Sequence, residues 1–158
     1  MRVRRFRPIR PRIVYACVLP LLLFATSSSA QSLSVSGSPS QALRINSVVS
    51  AGLAPKPDTD ATTTYTVRTT SGNPQKITAR LNFGMPAGTS LLINLTAVTG
   101  SVAVGTVTLS TTTTTVLNDI TTTFSRTGRI TYSLTATSAA GVVTARSRTV
   151  TFTILNYP

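Results

Sequence analysis

Few side chains in this sequence have the types and spacing that chemistry requires. Of its 158 residues three are acidic (Asp58, Asp60 and Asp119), one is Cys, and none is Glu, His or Trp. Without histidine the chain lacks the ordinary general base near neutral pH and the imidazole ligand of zinc, copper and iron sites. Serines abound, but a serine nucleophile needs a base and a partner that orients it. The two lysines, Lys56 and Lys76, lie in loop-like sequence outside any Ser-x-x-Lys pattern and read as solvated cations. Asp58 and Asp60 can both present oxygens to a hard cation, yet calcium takes six or more and this stretch offers few others. An Asx turn in a solvated loop is the simpler assignment. Two of the three acids share that loop, so no carboxylate pair for glycoside hydrolysis is set up. The reading is a chain without metal, cofactor or catalytic residues.

Charge points elsewhere. The formal net charge of +12 and pI near 11.7 are those of many nucleic-acid-binding chains. Six of the fifteen basic residues, however, are arginines within the first twelve positions. The apolar run Ile13 to Ala25 follows, then Thr26-Ser27-Ser28-Ser29-Ala30. A basic start, a short apolar core and small residues in that order form a secretory signal, with cleavage expected between Ala30 and Gln31. The apolar run spans ~20 Å as a helix, and ~27 Å if counted through Ala30, so an uncleaved anchor is the alternative. Cys17 sits inside the apolar core rather than after it, which argues against a lipid-attachment site. The Arg4-Arg5 pair lacks the rest of a twin-arginine pattern.

Residues 31–158 then carry nine basic and three acidic side chains, a net of +6, dispersed along the chain. Arg126/Arg129 and Arg146/Arg148 are the nearest approach to a cluster and form the candidate interaction surface. If Arg146 and Arg148 lie on a strand, they share a face. Anionic glycans or lipid headgroups fit such a patch; solvation and edge protection of a sheet is the plainer reading. No platform that interleaves basic and aromatic residues is visible, and an exported chain has little access to nucleic acid.

The elements that must position these residues are strands. Threonine and serine make up 44 of the 128 residues after Ala30, with 29 Thr and 15 Ser. Threonine and valine suit a pleated, half-buried surface. Period-two alternation recurs at Leu33/Val35, Leu43/Ile45, Tyr65/Val67, Ile77 to Phe83, Leu91 to Ala97, Val102/Val104, Val107/Leu109, Ile130 to Ala136 and Val150 to Ile154. Turn signals fall between the runs, at Ser71-Gly72-Asn73-Pro74, Met85-Pro86-Ala87-Gly88 and Ala140-Gly141 among others. Two prolines hold the stretch Ala54 to Asp60 out of any ladder. The run Thr111 to Thr115 reads as a polar strand with an exposed hydroxyl face, followed by a connection through Val116 to Ile120. Asn94-Leu95-Thr96 is a glycosylation sequon placed mid-strand.

Seven to nine short strands in about 120 residues predict an all-β chain folded as one antiparallel β-sandwich of immunoglobulin-like or related topology. The domains are 1–30, a signal or anchor helix, and 31–158, the sandwich. The stretch Ile130 to Val143, followed by Arg148 to Ile154, resembles the closing hairpin of immunoglobulin-like domains in bacterial surface and fibre proteins. It is also similar in style to exported pilin-like and spore-coat-type proteins. Chaperone-usher pilins typically lack their own last strand, whereas Thr149 to Leu155 supplies one here, and no cysteine follows Cys17. The resemblance implies a structural or interaction protein of the periplasm, cell surface or exterior, with protein partners or self-assembly in the envelope. An accessory subunit of an envelope complex is the alternative, with membrane contact only if the N-terminal helix is retained.

Overall fold

The computed structural model describes residues 31–37, 42–47, 50, 52–70 and 73–157. The expected signal or anchor helix, the Ala30 side of the cleavage site and Cys17 lie outside the described residues. Among the described residues nine strands form: β1 (Ser32–Ser36), β2 (Asp58–Arg68), β3 (Gln75–Leu81), β4 (Thr89–Leu95), β5 (Val102–Ala103), β6 (Val107–Thr108), β7 (Thr114–Ile120), β8 (Arg126–Ala136) and β9 (Val150–Asn156). They build two antiparallel sheets, one ordered β1-β2-β8-β4-β6 and the other β5-β7-β3-β9. The chain is thus all-β through its described length apart from one short 3₁₀ turn at Ser138–Ala140.

One apolar core joins the two layers. Tyr65, Val67, Leu91, Ile93, Leu95 and Ile130 from the first sheet pack against Ile77, Ala79, Leu81, Val116, Leu117 and Ile120 from the second. In β2, β3, β4 and β8 these are positions that period-two alternation marks as one face. β7 differs: the expected connection through Val116 to Ile120 is strand, and the consecutive Val116 and Leu117 are both buried where the β3–β7 register shifts around Ile77. β3 is the clearest case. Between β7 and β9 it buries Ile77, Ala79 and Leu81 while Arg80 faces water.

Only the β1–β2 connection stays within a sheet; every later connection crosses from one layer to the other. The region resembling a closing hairpin is therefore an inter-sheet connection: β8 is central in the first sheet and β9 is an edge of the second. Other local expectations also change. Residues 42–47 carry no strand, so Leu43 and Ile45 are not a ladder segment. β3 stops at Leu81 and leaves Phe83 exposed, and the Thr111 to Thr115 run enters a strand only at Thr114.

Asp58 and Asp60 lie on β2 rather than in a loop. The β2–β8 register shifts between Asp60 and Thr63, and Asp60 accepts the Thr62 amide (3.2 Å) and hydroxyl (3.0 Å) there. The carboxylate thus satisfies backbone and side-chain donors that the bulge would otherwise leave to solvent. Asp58 accepts the Arg44 amide at 2.6 Å, tying the incoming segment to the strand.

Candidate interaction surface

The sheet edges decide what this fold can contact. An edge strand presents a row of backbone donors and acceptors, and soluble domains usually shorten or charge it. β5 and β6 follow that rule, at two residues each. β1 and β9 do not. β9 spans seven residues, Val-Thr-Phe-Thr-Ile-Leu-Asn, and β1 five, Ser-Leu-Ser-Val-Ser; neither contains a charge or a proline.

The two unprotected edges lie side by side on one flank. Leu33 and Val35 of β1 and Val150, Phe152 and Ile154 of β9 line an open groove of about 560 Å³ between the layers. Val35 is 45 % exposed, and the other four are half-buried against the core. Their alternation predicted one buried face. Among the described residues, no strand lies beyond β1 or β9 to complete that burial.

A second concavity of about 950 Å³ opens at one end of the layers. Leu43, Ile45, Leu53, Met85 and Leu134 form its apolar lining, and Arg44, Arg146 and Arg148 are its basic residues. Arg146 and Arg148 precede β9 in a segment without strand structure, so it is the cleft that brings them together. Arg148 donates Nε to the Gly84 carbonyl at 2.9 Å and Nη1 to the Ser147 carbonyl at 2.8 Å.

Arg126 and Arg129 lie far from that cleft. β8 runs from Arg126 to Ala136, and Leu134 and Ala136 line the cleft. A strand of this length covers ~33 Å, so the four arginines form two separate groups. At its own end Arg126 sits 6.0 Å from the centroid of the exposed Phe124 ring, and Arg68 Nε donates to the Thr123 carbonyl at 3.2 Å. The aromatic neighbour was missed in the sequence because Phe124 lies in a loop and Arg68 on another strand. Gln31, the expected new N-terminus, directly precedes β1.

Threonine hydroxyls pair across the first sheet rather than forming one ladder. Thr66 and Thr127 hydroxyls lie 2.8 Å apart, and those of Thr59 and Ser133 3.3 Å apart, both between β2 and β8. Such cross-strand pairs stabilise a sheet. Asn94, the sequon residue, donates its amide to the Thr106 hydroxyl at 3.2 Å.

Two tyrosines give the domain a pH signature. Burial pushes the Tyr65 hydroxyl up to about 12. Burial, and then the Asp60 carboxylate, push Tyr132 up to about 12 as well. The unfolded chain ionises its tyrosines near pH 10. Between pH 10 and 12 the unfolded state therefore loses protons that the folded state keeps, and stability falls with rising pH. Below pH 10 both states hold these protons and the contribution is constant. Absorbance titration should show two late-ionising tyrosines, with the melting temperature declining over that window. Complete ionisation near pH 10 with a flat melting temperature would contradict the burial of both hydroxyls.

No protein-family model, curated protein or solved structure matches this chain. The fold defines the class by itself: an all-β chain of two antiparallel sheets over a shared core.

Proposed function

We propose that this protein is a non-enzymatic, exported structural or interaction module, a component of the cell surface, an extracellular fibre or the envelope, built as an immunoglobulin-like sandwich. The flank formed by β1 and β9 carries this reading, because two long uncharged edges beside apolar side chains are what strand-mediated association uses. A soluble domain with no partner gains nothing from leaving those edges unprotected. Its partners are proteins or further copies of itself. The basic, apolar and small-residue order of residues 1–30 supplies the route out of the cell, with cleavage between Ala30 and Gln31. The arginines act as dispersed solubilising charge and as the basic rim of the end cleft.

Fractionation of the producing cells, with N-terminal sequencing of the native chain, tests the proposal. The expected result is a chain beginning at Gln31 in the exported fraction, recovered with envelope or fibre proteins. A soluble cytoplasmic chain that begins at Met1 contradicts it.

A further inference from the structure

The geometry points to a second copy of this chain as the occupant of the β1/β9 flank, joined edge to edge about a twofold axis. This rests on the interaction-module reading and names its partner. The first support is the direction of the backbone groups. Asn82 N donates to Thr149 O at 3.0 Å and Tyr157 N to Pro74 O at 2.8 Å, and both pairs continue the β3–β9 register. Hydrogen-bonded pairs alternate along an antiparallel ladder. Thr151, Thr153 and Leu155 therefore direct their peptide groups to β3, while Val150, Phe152, Ile154 and Asn156 direct theirs outward.

The same parity holds at β1. Thr96 N donates to Arg129 O, so Gly128 and Ile130 of β8 turn their peptide groups to β2, where Gly128 pairs with Tyr65. Thr64, Thr66 and Arg68 then serve β1 through Ser36, Ser34 and Ser32, leaving Leu33 and Val35 to point outward.

The second support is that both edges read alike in either direction. In an antiparallel pairing centred on Phe152, Val150 meets Ile154 of the second copy, Thr151 meets Thr153, and Phe152 meets Phe152. Val150, Phe152 and Ile154 then fall on the groove side and Thr151 and Thr153 on the outer side, with Leu155 on the outer side opposite Thr149. Shifting the centre to Thr153 keeps Phe152 against Ile154 but sets Val150 against Asn156, so the groove face loses its unbroken apolar pairing. A twofold axis perpendicular to the layers also sets β1 antiparallel to its counterpart, and a pairing centred on Ser34 would place Leu33 opposite Val35.

Charge and area agree with this occupant. Two copies of a domain with nine basic and three acidic residues repel, yet residues 31–36 and 149–157 contain no Asp, Glu, Lys or Arg. Arg80, opposite Thr151 on β3, would stand three strand spacings from its counterpart, ~14 Å against a Debye length of ~8 Å at physiological salt. A flank ~23 Å long and ~20 Å across two layers gives ~900 Å² over both copies, in the range of weak, reversible association.

Sedimentation of the purified native protein from about 1 to 500 µM tests this. The mass should rise from one chain toward two. Thr151→Lys/Thr153→Lys and Thr151→Asp/Thr153→Asp place like charges opposite each other on exposed positions, and each should weaken dimerisation about tenfold with unfolding unchanged. An equal mixture of the two should dimerise again. Thr151→Cys mixed with Thr153→Cys should form a disulfide faster than either variant alone. A wild-type chain that remains monomeric, or a dimer indifferent to both charge variants, overturns the homotypic pairing. The module reading is decided separately, by where the native chain is found and what accompanies it.

Discussion

Gly128→Ala is expected to destabilise the domain by about 3 kcal/mol. A Cβ built at Gly128 lies 2.5 Å from Tyr65 Cε1, 2.6 Å from Cζ and 2.7 Å from Oη. The ring has little room to yield, because Tyr65 is 1 % exposed and its hydroxyl donates to the Thr96 carbonyl at 2.6 Å. Gly128 and Tyr65 are direct partners in the β2–β8 register, so the glycine is the gap into which the ring folds. A denaturant series should show a lower midpoint at unchanged slope. Combined with Tyr65→Leu, the cost of the added methyl should largely vanish, because the ring it strikes is gone. A cost below about 1 kcal/mol in the wild-type background would show that the ring does not occupy this space.

Ile77→Ala should cost about 4 kcal/mol. Ile77 is fully buried at the middle of β3, with Leu117 of β7 and Ile154 of β9 as its register partners. Truncation removes three methyl or methylene carbons from a position walled by strands on both sides and the opposite sheet above, where little can collapse into the space. Ile77→Val removes one carbon and should cost about 1 kcal/mol. The ratio of the two, read from equilibrium unfolding, tests whether β3 lies at the centre of the second sheet. Near-equal small losses would place Ile77 at a yielding edge instead.

Much of this architecture was legible in the sequence, and most of the missing part has one cause. Alternation identified β3, β4, β8 and β9 and the core-facing side of each, since Ile77, Ile93, Ile130 and Phe152 occupy period-two positions. It could not say which strands pair, because nearly every connection crosses between layers and pairing is non-local. In the sequence the run from Ile130 to Ile154 therefore reads as a hairpin, although β8 and β9 lie in different sheets. Leu43 and Ile45 alternate equally well, but they serve as lining of the end cleft.

The same non-locality hid the proposed contact flank. The pattern of Val150, Phe152 and Ile154 says that one face is apolar, and is silent on whether a neighbouring strand completes the burial. The arginines show the converse. Arg146 and Arg148 meet at the cleft, and Arg126 lies at the opposite end of β8 beside Phe124. Spacing alone carries no information on that separation. The contact of Gly128 with Tyr65 likewise depends on register, which alternation does not specify.

The central claim is that the β1/β9 flank is where an exported domain makes its contacts. Photo-crosslinking in intact producing cells tests it most directly, with the reactive side chain placed at Thr153 on β9 or at Thr131 in the middle of the first sheet. Adducts of defined mass are expected from position 153 in the exported fraction, including one of two chains, and few from position 131. Adducts absent at 153, with the protein remaining inside the cell, would contradict it.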